Sequence, residues 1–270
     1  MKSLPDKYGP WALVTGASSG IGAEFVRQVA AHGLNVVLVA RREERMNIIA
    51  REIERAHSIK TRVIVKDLSA TYACEEIFES VRDLDVGLLV NNAGIGWMGP
   101  FHKGNTEHFR KMVVVNSLVP ALFTKLFFPR FLRRKKGGII FVSSTAAFQP
   151  VPFMSLYAAT KAFDLMLAES LWEEYRKVGV DVLAVSPGMT ESEFHITANV
   201  ELTQQMMRWM MHPRAVVDLA LKTLGQRPSV VPGFYNKLVS SLYRVLPRSW
   251  IPPLAVIIMG WLGRRYTATE

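Results

Sequence analysis

The chain has little cysteine, no apolar N-terminus and no linker, and each absence limits what the protein is. Its one cysteine, Cys74, excludes an intrachain disulfide and makes a reducing compartment the default expectation. The first ten residues contain no apolar stretch of the kind that a signal peptide or a membrane span needs. No repeat, low-complexity tract or linker divides the 270 residues. We therefore expect a single domain in the cytosol or on its surface.

The chain is also short of acidic residues. It has 23 Asp and Glu against 33 Lys and Arg, a formal net charge of +10, which favours anionic partners such as nucleotides, acyl-CoA thioesters or membrane surfaces. The densest basic cluster, residues 130–136, is more typical of a solvated helix end. No nucleic-acid-binding module is visible, so we expect no nucleic acid partner.

Continuous apolar runs rich in β-branched residues recur between segments of helical period. Such runs are typical of parallel strands that are buried on both faces. Their alternation with helices predicts an α/β fold, a doubly wound (Rossmann-type) parallel sheet of about seven strands. The predicted strands cover residues 11–16, 35–40, 62–67, 87–92, 138–143, 180–186 and 229–233.

The glycine-rich stretch T-G-A-S-S-G-I-G, residues 15–22, directly follows the first predicted strand. Glycines weaken helices and strands, so three of them close together need a reason. Gly16 ends the strand, and Gly20 and Gly22 open the following helix. Without side chains there, a pyrophosphate can approach the backbone N–H groups at the positive helix end. The stretch therefore predicts a dinucleotide site.

Further motifs follow this stretch in a fixed order and support that interpretation. They are Asn91-Asn92-Ala93-Gly94, Asn116, Ser143-Ser144, Tyr157-Ala-Ala-Thr-Lys161 and Pro187-Gly188. With the spacing G-x-x-x-G-x-G, they resemble the classical short-chain dehydrogenase/reductase family over residues 10–195. The runs V-A-R-R, D-L-S, N-A-G-x-G-x-x-G-P-F and P-G-x-T-x-x-E-F resemble the DltE-type subgroup of that family. The resemblance implies hydride transfer with a nicotinamide cofactor.

Tyr157 and Lys161 are four residues apart, so on a helix they share one face. A free tyrosine has a pKa of about 10. A nearby lysine cation and nicotinamide would favour the phenolate and bring the pKa of Tyr157 towards neutrality, as general acid/base catalysis requires. Ser144 can donate a hydrogen bond to the substrate oxygen, and the resemblance selects it over Ser143 because it precedes Tyr157 by the family's usual separation. No metal ligand is predicted.

Asn116 completes what resembles the family's catalytic tetrad, and the local sequence offers its own reason for the position. Pro120 has no N–H, so within a helix it would leave the carbonyl of residue 116 without its usual partner. We hypothesise that this carbonyl accepts from a water linked to Lys161.

The end of the second predicted strand indicates the cofactor. An NAD-dependent enzyme usually has an acid there, whereas this chain has Ala40 followed by Arg41 and Arg42. Guanidinium groups bind a 2′-phosphate well, which predicts NADP(H), with Arg41 as the main contact and Ser18 or Arg42 assisting. With what the resemblance implies, the predicted cofactor-binding residues are Gly16, Ser18, Ser19, Gly20, Ile21, Gly22, Arg41, Arg42, Asp67, Leu68, Asn92, Ala93, Gly94, Tyr157, Lys161, Pro187, Gly188 and Ser192.

The sequence says less about the substrate. After Pro187-Gly188 the chain continues to a methionine-rich run that ends at Met211. In this fold that segment usually forms a mobile lid, so its composition predicts a hydrophobic substrate, although plain core packing explains such a stripe equally well. His195 lies in the same segment, and a lone histidine is more often structural.

Two apolar segments predict contacts beyond the cofactor cleft. The helix predicted at residues 106–134 is apolar on most sides and, with the Tyr157 helix, resembles the family's dimer-forming pair, so a homodimer or homotetramer is expected. We expect residues 1–234 to form the catalytic domain. Residues 235–270 form an amphipathic and apolar extension that packs on the domain or a partner subunit, covers the active site, or contacts a membrane through residues 235–265.

Three functions remain open on these observations. The first is an NADP(H)-dependent oxidoreductase that acts on a carbonyl or secondary alcohol of a hydrophobic, 3-oxoacyl or steroid-like compound. The second is a non-catalytic NADP(H)-binding sensor or scaffold, which the intact Ser144, Tyr157 and Lys161 disfavour. The third is a membrane-peripheral reductase that acts on a lipid.

Overall fold

A computed structural model describes residues 3–200, 202–243 and 245–261 of the chain. Seven parallel strands alternate with helices there, as predicted. The strands are β1 (Trp11–Thr15), β2 (Asn35–Ala40), β3 (Thr61–Val65), β4 (Val86–Asn91), β5 (Gly137–Val142), β6 (Val180–Val185) and β7 (Ser229–Val230). The helices are α1 (Leu4–Tyr8), α2 (Gly20–Ala31), α3 (Glu43–His57), α4 (Ala73–Ser80), α5 (Thr106–Val113), α6 (Val119–Arg134), α7 (Ser155–Tyr175), α8 (Phe194–Thr197), α9 (Gln204–Trp209), α10 (Pro213–Thr223), α11 (Phe234–Leu242) and α12 (Ile251–Trp261).

The strand order β3-β2-β1-β4-β5-β6-β7 reverses between β1 and β4. Parallel pairing brings Val14 level with Leu38 on one side and with Val90 on the other. In open sheets of this kind, ligands bind at the carboxyl ends of the strands beside this reversal. All seven predicted strands are present, but β7 is only two residues long. Pro232, which cannot donate to a strand ladder, follows closely.

Each face of the sheet is covered by helices, so the core has two layers. On one face α2, α3 and α10 contribute Phe25, Met46 and Val216 among others, all fully buried. On the other face α4, α6 and α7 contribute Ile77, Phe127 and Leu165 among others. Burial on both faces is why the strands read as continuous apolar runs.

The helix predicted at residues 106–134 is present, with an irregularity in its middle. A π-type turn, Val114–Leu118, joins α5 to α6, and the Val119 N–H donates to the Val114 carbonyl. Phe123, Phe127 and Phe131 on α6 are fully buried against the sheet. The π turn lies just before Pro120, which has no N–H and therefore removes one backbone hydrogen bond from the helix.

The expected C-terminal extension, residues 235–270, contains α12 and all of α11 except its first residue, Phe234. The aromatic side chain of Tyr235 on α11 packs edge-on against Trp209 on α9, with the ring centroids 5.7 Å apart. Arg264 and Arg265, which belong to the predicted membrane-contact region, lie outside the described residues.

Candidate active site

A cavity of about 600 Å³ opens at the carboxyl ends of the strands. Its size falls within the range of pockets that hold cofactors and drug-sized ligands. Among the predicted site residues, those that line it are Gly16, Ser18, Ser19, Ile21, Arg41, Arg42, Asp67, Leu68, Asn92, Ala93, Gly94, Ser144, Tyr157, Lys161, Pro187, Gly188 and Ser192. Gly20, Gly22 and Asn116 are not part of the lining.

The glycine loop is built so that backbone lies against backbone. Gly16 has a φ of 67°, in the left-handed region where side chains are disfavoured. A Cβ on Gly22 would lie 2.2 Å from the Gly16 carbonyl oxygen, which is too close for any residue with a side chain. The Asn92 side chain donates to the Thr15 carbonyl at 2.8 Å and fixes the loop against the end of β4. This cradle of backbone at the start of α2 fits a pyrophosphate.

A cationic group lies beside this cradle, at the start of α3. The Arg42 guanidinium donates to Ser18 Oγ at 3.0 Å and to Ser19 Oγ at 2.8 Å. Arg41 is exposed, lines the cavity and is close enough to Asp67 to interact with it electrostatically. The geometry thus assigns Arg42, rather than Arg41, to the position next to Ser18. Both arginines fit a 2′-phosphate, because they combine charge with several N–H donors.

The remaining cofactor residues lie at the ends of β3 and β4. Asp67 is held by its acceptance of hydrogen bonds from Ser69 N–H and Oγ, at 2.9 and 2.8 Å. The Asn92 and Ala93 N–H groups both donate to Thr15 Oγ1 at 3.0 Å. The bonds to Thr15 keep the end of β4 beside the end of β1, and Asp67 and Gly94 both line the cavity.

Ser144, Tyr157 and Lys161 meet at the other end of the cavity. Tyr157 and Lys161 lie on α7 and are both buried, and the Tyr157 phenol is within hydrogen-bonding reach of Ser144. The Ser144 Oγ accepts from the Ala146 N–H at 3.1 Å, which leaves its O–H free to donate. Ser143 instead donates to the Lys161 carbonyl at 2.7 Å and is committed to holding α7. The geometry therefore favours Ser144 as the catalytic serine.

The surroundings of Tyr157 shift its pKa in opposing directions. Burial raises the pKa of the phenol above its ordinary value, whereas Lys161 and Ser144 lower it. The net direction is upward because removal of the phenolate from water outweighs the lysine cation. The expectation from the sequence also included a nearby nicotinamide, so it stays a prediction. At neutral pH the phenol consequently keeps its proton and can act as an acid.

Asp164 is a member of the site that the sequence interpretation missed. Its carboxylate accepts from Lys161 Nζ at 3.0 Å, and both side chains are almost completely buried. The lysine also donates to the Val142 carbonyl at 2.8 Å. Burial raises the pKa of Asp164 to about 6, against the opposing effect of Lys161. An acid one helical turn after Lys161, on the same face, was the available signal.

Asn116 lies behind the cavity and is fully buried within the π turn. Its Oδ1 accepts from the Ile95 N–H at 2.9 Å, and its Nδ2 donates to the Ile95 carbonyl at 2.8 Å and to Thr160 Oγ1 at 3.1 Å. Asn116 thus joins the loop after β4 to α7. The irregular helix agrees with the sequence argument about Pro120, while the water link to Lys161 stays a hypothesis.

Residues 189–211, called here the lid segment, cover the cavity from the side of β6. Met189, Met206 and Met210 line the cavity, whereas Met207 and Trp209 are exposed. The Phe194 ring lies 5.0 Å from the Tyr157 ring. His195 also lines the cavity, and its Nδ1 is 2.9 Å from the Ser192 carbonyl. The apolar stripe predicted from the sequence is therefore split between the cavity and the outer surface.

The amino-acid sequence of this chain is similar to those of known proteins of one family. Residues 10–206 match the family model described as short chain dehydrogenase. The human very-long-chain 3-oxoacyl-CoA reductase is 30% identical over 247 residues, which cover 90% of this chain and 77% of that protein. The inactive hydroxysteroid dehydrogenase-like protein 1 of Rattus norvegicus is also 30% identical, over 92% of this chain and 76% of the relative.

Two solved structures show the same architecture. A structure from a study of 7beta-hydroxysteroid dehydrogenase stereoselectivity superposes with a TM-score of 0.87 and 30% identity, covering 96% of this chain and all of the other. A short-chain dehydrogenase from Sphingobium yanoikuyae in complex with NADPH superposes with a TM-score of 0.77 and 28% identity, over 89% of this chain and 97% of that one.

Proposed function

The chain belongs to the short-chain dehydrogenase family, and from that premise we propose that it interconverts a carbonyl and a secondary alcohol on a hydrophobic substrate. The observation that carries the proposal is one cavity with two chemically different ends. Ser144, Tyr157 and Lys161 meet at one end, and Arg42 lies with Ser18 at the other. The chain is thus an oxidoreductase of this family, with a 3-oxoacyl or steroid-like compound as the proposed substrate.

The cofactor is NADP(H). The glycine loop fits a pyrophosphate, and Arg42, Ser18 and the exposed Arg41 supply the donors for a 2′-phosphate. The Sphingobium yanoikuyae relative was solved with NADPH. When bound, this cofactor supplies or accepts the hydride.

The residues around the substrate carbonyl supply the proton and stabilise the charge that develops on the oxygen. Tyr157 donates its phenolic proton to the substrate oxygen, and Lys161 and Ser144 favour that transfer because both lower the pKa of the phenol against the effect of burial. Ser144 donates a hydrogen bond to the same oxygen as charge develops on it. The Lys161 cation stabilises the tyrosinate that is left, and Asp164 holds that lysine in place. In the oxidative direction Tyr157 takes the proton back as a base.

The lining near Tyr157 supports a hydrophobic substrate. Apolar side chains predominate there, which favours an acyl chain or a steroid ring system over a sugar. Relatives named for a very-long-chain 3-oxoacyl-CoA and for a 7beta-hydroxysteroid agree with that class. The apolar residues concerned are Ile95, Met98, Val151, Met154, Phe194, Leu202 and Met206.

A titration of the purified protein with NADPH and NADH, followed by a substrate panel, tests the proposal. We expect NADPH to bind at least about tenfold more tightly than NADH, because each well-placed charged hydrogen bond contributes about 1.4 kcal/mol or more. We also expect oxidation of NADPH with a 3-oxoacyl thioester or an oxosteroid in the panel. Tight NADPH binding without turnover on any compound would favour the sensor or scaffold, and equal affinities would contradict the cofactor assignment.

Helix α11 favours a membrane-peripheral form of this reductase. Phe234 and Leu238 are 75% and 55% exposed, and Tyr235 and Leu242 are also exposed. No Asp or Glu occurs among residues 219–269. An exposed apolar helix in a stretch whose charges are all positive suits the surface of an anionic bilayer. We propose that this extension contacts such a surface, from which a lipophilic substrate enters the cavity.

The substitution Leu238→Glu tests this membrane contact. It replaces an inserting side chain by a charge that anionic lipid repels, so we expect at least about a tenfold loss of partitioning. Co-sedimentation with phosphatidylserine-containing vesicles measures it. The matched control is Ile48→Glu on α3, which changes a side chain of similar exposure, 52% against 55%. Equal effects of the two substitutions, or no vesicle binding by the unaltered chain, would contradict the contact.

One helical stretch among the described residues, Thr106–Arg134, is long and apolar enough to cross a membrane, but more than half of its most apolar 18-residue window is buried in the fold. It is the core stretch that carries Phe127, and it needs no bilayer to cover it. Exposed Leu118 on this stretch and Phe163 and Met166 on α7 support the proposed homodimer or homotetramer. The DltE-type subgroup and the cytosolic location stay predictions.

A further inference from the structure

The lid segment is joined to the opposite wall of the cavity by an ion pair that involves one carboxylate. Glu193 Oε2 lies 2.5 Å from Arg42 Nη1, and Glu193 Oε1 lies 2.6 Å from Arg45 Nη1. The two partners are 151 and 148 residues away in the sequence. This single side chain therefore connects the segment after β6 to the first turn of α3.

Arg42 is shared between this ion pair and the residues that would hold a 2′-phosphate. Its Nε and Nη2 donate to the Ser18 and Ser19 hydroxyls, and its Nη1 donates to Glu193. Most of its five N–H donors are consequently engaged. A phosphate that binds Arg42 therefore approaches a guanidinium that is already paired with the negatively charged Glu193 carboxylate. Arg45 adds a second cation for which both anions would compete.

Protonation does not relieve this competition near neutral pH. Hydrogen bonds from Arg45 and Arg42 hold the pKa of the Glu193 carboxyl at about 2. The carboxylate is therefore ionised at neutral pH. Its side chain is about one-third exposed, so the ion pair is accessible to a charged competitor and weakens with salt.

On the proposed function, we infer that Glu193 determines cofactor discrimination: its carboxylate competes with the 2′-phosphate for Arg42 and Arg45, and the phosphate releases the lid segment. Coupling between two sites is reciprocal. If the phosphate displaces Glu193 from the arginines, Glu193 weakens binding of the phosphate by the same factor.

The released segment reaches the substrate end of the cavity. Phe194 directly follows Glu193, and its ring is the one that lies 5.0 Å from the Tyr157 ring. A Cβ on Gly96, in the loop after β4, would lie 2.4 Å from the Phe194 ring, which shows how closely this ring is packed. Release of Glu193 therefore loosens a wall of the substrate region.

Binding of two pairs of nucleotides to the full-length Glu193→Gln variant tests the inference. The pairs are NADPH with NADH, followed by fluorescence, and 2′,5′-ADP with ADP, followed by calorimetry. We expect the variant to bind NADPH and 2′,5′-ADP about five to ten times more tightly, within the usual range of coupling between sites. Affinity for NADH and ADP should change less than about twofold, because these lack the competing phosphate.

The matched control is Glu191→Gln, an exposed acid two residues earlier on the same segment. It removes the same charge from the lid segment but not from the arginines, so it should leave all four affinities within about twofold of the unaltered chain. Combining Glu193→Gln with Arg42→Ala should reduce the gain, since only the guanidinium of Arg45 is then left for the two anions to share.

The outcomes separate this inference from the function on which it rests. Unaltered protein that binds neither NADPH nor 2′,5′-ADP would contradict both. Phosphate-dependent binding that Glu193→Gln leaves unchanged, or weakens, would contradict only the competition. A gain shared equally by NADH and NADPH would also overturn it, because the effect would then not depend on the 2′-phosphate. None of these measurements requires turnover.

Discussion

The substitution Tyr157→Phe is expected to lower turnover about a thousandfold and to leave the NADPH dissociation constant within about threefold. The phenol is the proposed proton donor and lies next to Ser144 and the Lys161 cation. Phenylalanine keeps the ring and its packing against Phe194. It removes only the hydroxyl, so the loss reports the acid/base step. Steady-state kinetics with a substrate from the panel, and fluorescence titration with NADPH, measure the two quantities.

The matched control for this experiment is Tyr175→Phe at the other end of the same helix. Tyr175 packs against Phe128 with the ring centroids 4.4 Å apart, in the core rather than the cavity. The same loss of a hydroxyl there should leave turnover within about twofold. Turnover retained by Tyr157→Phe would remove tyrosine as the proton donor and leave Ser144 as the candidate.

The sheet and the phosphate loop were predictable from the sequence because local chemistry decides them. Strands buried on both faces must be apolar throughout, so β1, β2 and β6 stand out as continuous runs. A loop in which backbone packs on backbone must be glycine, so Gly16 and Gly22 stand out equally. In both cases the residue type follows from its immediate surroundings.

Properties that depend on how deeply a side chain is buried, or on partners far away in the chain, were not predictable from the sequence. The sign of the Tyr157 pKa shift depends on burial, which spacing between Tyr157 and Lys161 does not report. Arg41 and Arg42 are adjacent and chemically identical, and only the fold shows that Arg42 meets Ser18. The ion pair of Arg42 with Glu193 joins residues 151 positions apart. No local pattern encodes that distance.

The lid segment shows an intermediate case. Its methionines predicted an apolar covering of the cavity, but composition does not say which side chains face inward. On α9, Met206 and Met207 are neighbours that point to opposite sides, one into the cavity and one to the surface. The outward side then meets α11 through Trp209 and Tyr235. The methionine-rich composition thus identified the lid segment, and the helical period of α9 divides its side chains between the cavity and the outer surface.

The substitution Gly22→Ala is expected to reduce NADPH affinity about a hundredfold, or about 2.7 kcal/mol. The added Cβ would lie 2.2 Å from the Gly16 carbonyl oxygen and 2.5 Å from Asn92 Nδ2. Neither contact is tolerable, so the glycine loop must move away from the start of α2. That movement separates the N–H groups that bind the pyrophosphate, while the overpacking costs about 1–3 kcal/mol of folding free energy. NADPH titration and thermal unfolding measure the two effects.

Gly260→Ala makes the same chemical change where, within the part of the chain that the structure describes, no atom lies within 4 Å of the added Cβ. In a helix, alanine is favoured over glycine by up to about 1 kcal/mol, so this control should be neutral or slightly stabilising and should leave NADPH affinity unchanged. If Gly22→Ala binds NADPH as tightly as Gly260→Ala does, the close approach of backbone to backbone is not what the glycine loop provides. The three glycines would then serve the turn alone, because Gly16 still needs its φ of 67°.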